Sequence, residues 1–305
     1  MDALEARGLA KVYQGHDREV RALDGVDLTV AKGRLFAFLG RNGAGKTTFI
    51  KIAATLLRPT AGEIFLFGDD VIREPRKARE RIAMVPQEGR PWYHLTPREH
   101  IYEYLCVRGV SSATAKARAD EMVEAMALGP FSQEPSFRLS GGQQQRTLVA
   151  MILATEAPFL FLDEPTLGMD PFARRQVWEV IRKAVQKGST VLLTTHYLDE
   201  AEQLSEELAV VEAGKILYRG SPDALRARVG REVRLQFSGG FTPAELAGYG
   251  KVSSDRGRLT LLTGRAVVGE LTQLALARGV EMTIGPVTLE EAFLELVGRS
   301  IEEEE

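Results

Sequence analysis

The sequence predicts an α/β protein whose central sheet is mainly parallel, followed by a smaller α+β domain. Up to about residue 220, short apolar runs alternate with longer runs of helical periodicity, which indicates a parallel sheet with helices packed on it. The runs at 34–40 and 159–163 are apolar almost throughout, and the run at 190–196 has an apolar centre, as expected for parallel strands covered on both faces. Beyond that point the pattern changes, so we divide the chain into domains at 1–225 and 226–305.

Turn residues delimit the helices of the first domain. The helix predicted at 45–57 stops before Pro59, and the helix at 171–188 has proline in its first turn and glycine past its end. Helices therefore separate the strands, as crossover connections between parallel strands require. The other elements predicted here are a strand at 82–87, helices at 97–109 and 112–129, and a hairpin at 208–220.

The second domain is predicted to have the order βαββαβ and one further helix. Thr288 and Glu291 have capping-box spacing, so Thr288 is expected to begin the last helix. This order suggests a ferredoxin-like or related α+β fold. The acidic run at 301–305 is predicted to be a solvated tail. The predicted elements are strand 232–237, helix 242–248, strands 251–254 and 258–263, helix 265–278, strand 280–285 and helix 289–297.

Composition excludes several classes of protein. The chain has 305 residues, 44% of them hydrophobic, which is enough for two cored domains. A net charge of −3 gives no basic field, so no nucleic-acid partner is expected. Cys106 is the single cysteine, which excludes an internal disulfide and fits a reducing compartment. No run approaches the roughly 18 apolar residues of a spanning helix, so the chain is expected not to cross a membrane.

A glycine-rich segment between a predicted strand and a predicted helix is typical of phosphate-binding loops. "GRNGAGKTT" contains G-x-x-x-x-G-K-T, in which glycines let backbone N–H groups surround phosphate oxygens at a helix start. The lysine is expected to reach the β- and γ-phosphates and the first threonine to bind Mg²⁺. The predicted phosphate-site residues are Gly40, Arg41, Asn42, Gly43, Ala44, Gly45, Lys46, Thr47 and Thr48.

Two adjacent carboxylates end the apolar run at 159–163. A buried, unpaired Asp163 would be costly, and a Mg²⁺ shell would compensate for that cost. Glu164 follows where the chain turns, so it can reach a γ-phosphate and act as the general base for water. The alternative is that Asp163 and Glu164 only cap a strand and begin a turn.

The string "LSGGQQQR", at 139–146, resembles the signature motif of ABC-transporter ATPase subunits without a mismatch. The order of motifs also resembles that family: phosphate loop, "VPQ", signature, "FLFLDEP" and "TTH". The resemblance covers roughly residues 4–225. It implies a P-loop NTPase domain with an antiparallel β subdomain and a helical subdomain at about 88–157, and ATP and Mg²⁺ as cofactors.

The resemblance also implies roles for four residues outside the phosphate loop. Tyr13 corresponds to an aromatic that stacks on adenine; the alternative is a strand tyrosine with no ligand. Gln87 corresponds to a glutamine that contacts Mg²⁺ and the attacking water. His196 corresponds to the histidine that contacts the γ-phosphate, and Asp170 to the aspartate of a loop linking two nucleotide sites.

The family's ATPase domains pair head to tail, which gives the signature segment a function. The start of its helix is expected to form a second anion-binding terminus that faces the γ-phosphate held by Lys46 of the other subunit. Glycine there lets the two backbones approach closely. The residues expected to bind nucleotide in trans are Ser140, Gly141, Gly142, Gln143 and Asp170.

Two stretches are the linking loop, which departs from the family pattern, and an aromatic segment after Gln87. The linking loop reads "TLGMDP", whereas the family more often has serine and leucine at the positions of Leu167 and Met169. The segment after Gln87 contains Trp92, Tyr93 and His94, where the family docks its membrane partner. For these three side chains the sequence leaves two alternatives open, a docking surface and a buried aromatic cluster.

The segment "VTLEEAFLELVG", at 287–298, resembles the closing segment of ABC-2-type exporter ATPases. We therefore expect an ATPase subunit that pairs with a second copy or a paralogue and drives a separate membrane permease from the cytoplasmic face of the cell membrane. The main alternative is a non-transport ABC ATPase acting on nucleic acid or ribosomes. That class usually has coiled-coil insertions or two cassettes on one chain, and this chain has neither. A P-loop kinase is a third alternative, which the signature string disfavours.

Overall fold

The computed structural model describes residues 2–15, 19–255 and 257–298. Contacts divide the chain into two units, Met1–Arg219 and Gly220–Glu305. The predicted acidic tail at 301–305 lies outside the described residues.

The strands follow the order expected from the sequence, with additional strands near the N-terminus. The strands are β1 (Asp2–Gln14), β2 (Glu19–Ala31), β3 (Leu35–Leu39), β4 (Ala61–Leu66), β5 (Asp69–Asp70), β6 (Ile82–Val85), β7 (Phe159–Asp163), β8 (Thr190–Thr195), β9 (Glu207–Glu212), β10 (Lys215–Gly220), β11 (Val233–Phe237), β12 (Lys251–Asp255), β13 (Arg258–Thr263) and β14 (Met282–Pro286).

The helices lie between these strands. The α-helices are α1 (Lys46–Ala53), α2 (Pro75–Arg81), α3 (Pro97–Val107), α4 (Ser112–Ala125), α5 (Gly141–Leu153), α6 (Pro171–Gln186), α7 (Leu198–Leu204), α8 (Pro222–Ala227), α9 (Pro243–Leu246), α10 (Val268–Ala277) and α11 (Leu289–Val297). Short 3₁₀ helices occur at Gly129–Phe131, Ser136–Arg138 and Arg265–Val267.

The central sheet of the first unit has the order β10-β9-β3-β8-β7-β6. The neighbours β9, β3, β8, β7 and β6 pair in parallel. Every residue of β3, β7 and β8 is buried, as the apolar runs predicted. Ala213 and Gly214, both with positive φ, form the two-residue turn between β9 and β10, which makes this pair a hairpin. The predicted mainly parallel sheet is therefore present.

A second sheet has the strand order β2-β1-β4-β5, and its neighbouring strands are antiparallel. Apolar side chains from β1, β2 and β4 form one core cluster with α1 and with Phe159 and Phe161 of β7. This is the antiparallel β subdomain that the family resemblance implied. Helices α3, α4 and α5 follow β6 and precede β7 in the chain, and they pack on one another. They lie within the predicted helical subdomain.

Among the helices of the first unit, α1 falls furthest short of its predicted length. The sequence predicted a helix at 45–57, but α1 ends at Ala53. Thr55 has φ of 64°, in the left-handed region that ends helices, and the N–H groups of Leu56 and Leu57 bond back to the Lys51 carbonyl. The apolar residues after Ala53 therefore belong to a turn.

The second unit has an antiparallel sheet in the order β12-β13-β11-β14. Its element order, β11-α9-β12-β13-α10-β14, is the predicted βαββαβ, and β11 lies between β13 and β14 in the sheet. The inward residues of β11, Val233, Leu235 and Phe237, form a core with Leu271 of α10. Thr288 caps α11 with a capping box to Glu291, as its spacing predicted.

Candidate functional site

Three neighbouring strands of the central sheet end at one edge, and each is followed by a predicted site residue. Because β3, β7 and β8 are parallel, their carboxyl ends lie together. Residues 40–45 follow β3, Glu164 follows β7, and His196 follows β8. In open α/β sheets this edge is where ligands bind.

The loop at 40–45 and the first turn of α1 form a concave surface. A Cβ atom on Gly40 would lie 2.3 Å from the Val211 carbonyl oxygen, and one on Gly45 would lie 2.3 Å from the Ala22 carbonyl oxygen. Gly45 also has φ of 109°, which side chains disfavour. A cavity of about 200 Å³ lies against the loop, lined by residues 42–48 with Ala22, Gln87 and Glu164. The glycines are therefore required by the close backbone approach that creates this cavity.

Lys46 lies at the start of α1, where its side chain is only 6% exposed. Its Nζ donates to the carbonyl oxygens of Gly40 at 2.6 Å and Arg41 at 3.0 Å. Burial lowers the pKa of Lys46, whereas nearby carboxylates raise it. Those carboxylates belong to Glu164, Asp163 and Glu212. The ammonium group is thus held at the phosphate loop by the loop's own backbone.

Thr47, Gln87 and Asp163 converge beside the cavity. The Thr47 hydroxyl lies 3.3 Å from Oε1 of Gln87 and 3.2 Å from Oδ1 of Asp163. Thr194 also donates to that Oδ1, but Oδ2 of Asp163 is buried and, within the described residues, has no hydrogen-bond partner. Burial raises the pKa of Asp163, and the two hydroxyl groups lower it. A hydroxyl, an amide oxygen and a carboxylate are the donors that Mg²⁺ prefers, so the three side chains fit this ion.

Glu164 is buried and oriented by two contacts. Its Oε2 lies 2.9 Å from Nδ1 of His196, and its N–H donates to the carbonyl and hydroxyl oxygens of Thr194, at 3.2 and 3.1 Å. The residue has φ of 50°, a conformation that costs about 1–2 kcal/mol for a non-glycine residue. The tight turn thereby directs a carboxylate at the cavity, as a general base requires.

Tyr13 lies in β1 with its ring 40% exposed. Its hydroxyl lies 3.4 Å from the Thr48 hydroxyl, and the Lys11 ammonium lies 5.3 Å from the ring centre. An exposed aromatic ring is therefore placed beside the first turn of α1, close to the phosphate loop.

The signature segment forms the start of α5. Ser140 is the N-cap: its hydroxyl accepts from the Gln143 N–H, and Oε1 of Gln143 accepts from the Ser140 N–H. Gly141 is exposed, and Gly142 is partly buried, with a Cβ position 3.1 Å from the Gly168 carbonyl oxygen. None of these four lines the cavity at Lys46 in the described part of the chain. The structure therefore does not bring the signature segment to the phosphate loop within one chain.

The other glutamines of the signature bond within the chain. Nε2 of Gln144 donates to the carbonyl oxygens of Ser136 and Leu139, both at 3.1 Å. Nε2 of Gln145 donates to the Glu164 carbonyl at 3.3 Å. The polar run thus fixes the start of α5 and connects it to the turn at Glu164.

Asp170 is the N-cap of α6, and its carboxylate accepts from the N–H groups of Phe172 and Ala173. These backbone bonds lower the pKa of Asp170. Met169 is buried, whereas Leu167 is exposed. These bonds join the linking loop to the start of α6 despite its departures from the family pattern.

Sequence reasoning missed Thr194, which bonds both to Asp163 and to the Glu164 backbone. It also missed Phe137, whose ring stacks on Tyr93 with ring centres 4.9 Å apart. Trp92 is 53% exposed and Tyr93 64% exposed, so the alternative of a buried aromatic cluster is wrong. The motif "TTH" could have pointed to Thr194, but nothing in the sequence signalled Phe137.

Within the described residues, no helix combines the length and apolar character needed to cross a membrane.

Comparison with known proteins agrees with this geometry. Residues 23–167 match the family model of the ABC transporter. The chain is 42% identical to the daunorubicin/doxorubicin resistance ATP-binding protein DrrA of Streptomyces peucetius, over 76% of this chain and 69% of that protein. It is 34% identical to Nod factor export ATP-binding protein I of Paraburkholderia xenovorans (strain LB400), over 93% and 95%.

A solved structure also matches, a dimeric ATP-binding cassette in a post-hydrolysis state bound to ADP and Pi. Its TM-score is 0.66 at 26% identity, covering 72% of this chain and 98% of that one. The predicted fold class, family and ATPase activity are confirmed. The chain belongs to the ABC transporter family as an ATP-binding, ATP-hydrolysing subunit, in the group of exporter ATPases that includes DrrA and the Nod factor export proteins.

Proposed function

We propose that this chain pairs head to tail with a second copy or a paralogue around two ATP–Mg²⁺ and drives export through a separate membrane permease. The observation that carries this proposal is the composition of the cavity at Lys46. Phosphate-loop residues, Gln87 and Glu164 line it, but no described signature residue does. Each chain then supplies one half of a nucleotide site and needs the other half from its partner.

Within one half-site, the backbone N–H groups at 42–48 and Lys46 bind the triphosphate. Thr47, Gln87 and Asp163 would hold Mg²⁺, and this assignment is supported by Oδ2 of Asp163, which is buried without a hydrogen-bond partner among the described residues. When bound, the ion neutralises charge on the β- and γ-phosphate oxygens. Glu164 takes a proton from the attacking water, and His196, 2.9 Å from its Oε2, contacts the γ-phosphate.

The partner's contribution comes from the exposed start of α5. Ser140, Gly141, Gly142 and Gln143 bind the γ-phosphate of the other subunit, and Asp170 connects the two sites. Gly141 supports this role because a Cβ there would meet no atom within 4 Å among the described residues outside its own turn of α5. The chain's own packing therefore does not explain the glycine, whereas close approach of a second backbone does.

An aromatic surface supports docking on a permease at the cytoplasmic face of the cell membrane. It consists of Trp92, Tyr93 and Phe137, all more than two-fifths exposed. Exposed rings of this size are typical of protein interfaces. Export is favoured over the non-transport alternative because a relative covering 93% of the chain is a Nod factor export protein. No nucleic-acid partner is proposed.

We also propose that residues 226–305 form an accessory α+β domain separate from the ATPase domain at 1–225. The independent apolar core of the second sheet supports this division, since a domain needs its own core. Its role would be to strengthen or regulate pairing.

Complementation between two inactive variants tests the paired site. Lys46→Ala removes the phosphate ligand in its own chain, and Ser140→Arg places a bulky cation where the partner's γ-phosphate should bind. Each variant alone is expected to be inactive. A mixed dimer has one site with wild-type Lys46 and wild-type Ser140, so an equal mixture should recover about a quarter of the wild-type ATPase rate if sites act independently.

The matched control mixes Lys46→Ala with the double variant Lys46→Ala/Ser140→Arg, because every site then lacks the lysine. This mixture should stay inactive. Full activity of Ser140→Arg alone, or no recovery on mixing with Lys46→Ala, would contradict a site shared between two chains.

A further inference from the structure

A buried carboxylic acid lies behind the site and has no part in the reaction as described so far. Glu200, in the first turn of α7, is fully buried. We propose that Glu200 is a positioning residue for ATP hydrolysis, because its carboxyl group joins the turn after Glu164 to the segment that carries His196. This inference rests on the roles proposed above for Glu164 and His196.

One oxygen of Glu200 accepts two hydrogen bonds from different parts of the chain. The Thr166 hydroxyl and the Trp178 indole N–H both donate to Oε1, each at 2.9 Å. Thr166 belongs to the turn that follows Glu164, and Trp178 belongs to α6. The carboxyl group therefore fixes the turn after Glu164 against α6 and α7 together.

The same residue is close in sequence to His196. Helix α7 begins at Leu198, directly after the short segment that carries the histidine. Within that segment the Tyr197 N–H donates to the Thr195 hydroxyl at 2.9 Å, which tightens the turn between β8 and α7. Movement of α7 relative to the Thr166 turn would consequently change the 2.9 Å contact between Glu164 and His196.

The surroundings of Glu200 favour its neutral form. Burial raises the pKa of Glu200, and the charge of Glu164 raises it further, whereas the donors around the carboxyl group lower it. Its Oε2 is buried and lacks a hydrogen-bond partner among the described residues. In the neutral acid, Oε1 still accepts the hydrogen bonds from both donors. The neutral group also does not repel the negative charge of Glu164. A glutamine side chain can reproduce these features.

A purely structural role is the competing explanation, and kinetics separate the two. Glu200, Thr166 and Trp178 are not among the described residues that line the cavity at Lys46, so losing the network should leave ATP binding unchanged. Displacement of Glu164 and His196 should instead lower kcat, since small misplacements of reacting groups are costly. A general loss of stability would instead reduce the folded fraction, and ATP binding and hydrolysis would fall together.

The test compares three variants of the full chain by steady-state ATPase kinetics and thermal unfolding. Glu200→Leu should lower kcat about tenfold or more while the KM for ATP stays within about twofold. Glu200→Gln should restore kcat to within about twofold of wild type. Leu204→Ala, at the buried end of the same helix, is the matched control and should lower Tm but leave kcat unchanged.

Normal kcat in Glu200→Leu would overturn the inference, as would an equal loss of kcat in Leu204→Ala. If Glu200→Leu does not fold, Thr166→Val decides, because it removes one donor and keeps the shape: lowered kcat supports the inference and normal kcat overturns it. Glu164→Gln and His196→Ala are measured alongside. Normal rates in those two would refute the proposed function itself, whereas normal rates confined to the Glu200 variants would refute only this inference.

Discussion

The starts of α1 and α5 are both rich in glycine, but only the start of α5 has a side-chain cap. Helix α1 begins after Gly45, which has no side-chain cap, and its first turn lines a cavity with Lys46 beside it. Helix α5 begins after Ser140, whose capping box with Gln143 already satisfies N–H groups at this terminus. An anion can therefore bind at α1 without displacing a side-chain cap, whereas at α5 the cap uses the N–H groups of Ser140 and Gln143 and leaves those of Gly141 and Gly142 to bind it.

This difference explains how one chain can bind nucleotide without closing the site. The start of α1 has a nearby cation, and its N-cap residue Gly45 makes no side-chain cap bond within the described residues, so it is expected to bind the triphosphate on its own. The start of α5 offers fewer N–H groups, because its cap already uses two of them. Pairing is then expected to be weak until ATP is bound, and to weaken again once the γ-phosphate leaves.

The largest expected effect separates chemistry from binding on the α1 side. Glu164→Gln keeps the shape of the side chain but removes the base, so hydrolysis should fall by roughly 10²-fold or more. ATP binding should persist, and ATP-dependent dimers should accumulate because the nucleotide that links them is not consumed. Phosphate release and size-exclusion chromatography with ATP measure the two quantities.

Glu164→Asp is a useful companion variant because it retains a carboxylate but shortens its reach. A hydrolysis rate near wild type in Glu164→Gln would mean that another group is the base. Loss of the dimers together with hydrolysis would mean that Glu164 serves pairing and not chemistry.

The second prediction contrasts equivalent substitutions at the two helix starts. Gly45→Ala places a Cβ atom 2.3 Å from the Ala22 carbonyl oxygen at φ of 109°, so ATP binding should be lost. Gly141→Ala meets nothing within 4 Å among the described residues outside its own turn of α5 and favours helix, so ATP binding and Tm should be retained. Hydrolysis should nevertheless fall in Gly141→Ala, because the partner's nucleotide meets the added methyl group.

Fluorescent-nucleotide binding, thermal unfolding and ATPase rate are measured on both variants. Normal hydrolysis in Gly141→Ala would show that no second backbone comes close to this glycine. Intact ATP binding in Gly45→Ala would show that the phosphate loop tolerates a larger shift than its contacts suggest.

The sequence was informative wherever one local string carries the chemistry. The phosphate loop and the pair Asp163–Glu164 each lie within a few consecutive residues, so their local strings located them. The signature is equally compact and was located by its resemblance to a family motif. Thr194 and Glu200 were missed because their partners are 31 and 34 residues away in the chain, and only folding brings them together. The turn at Thr55 was missed because apolar periodicity continues past a residue whose backbone has already left the helix.

The smallest expected effect concerns the stability of the helices that carry the start of α5. His100 in α3 is 3% exposed, stacks on Trp92, and its Nε2 accepts from the Trp92 N–H at 2.8 Å. Burial lowers the pKa of His100 below its usual value. Because the folded form resists the proton that the unfolded chain accepts, stability should be full above about pH 6.5 and decline as pH falls through the lowered pKa.

His100→Gln keeps an acceptor for the Trp92 N–H but cannot titrate, so it is the matched control. Between about pH 8 and about pH 5, the Tm of the wild-type chain should fall more steeply than that of His100→Gln. ATP binding at α1 should be much less affected by the acid shift than ATP-dependent pairing, because the main packing partners of α3 are α4 and α5. Identical pH slopes in the two proteins would remove His100 as the cause and would leave the α5 side no more acid-sensitive than the α1 side.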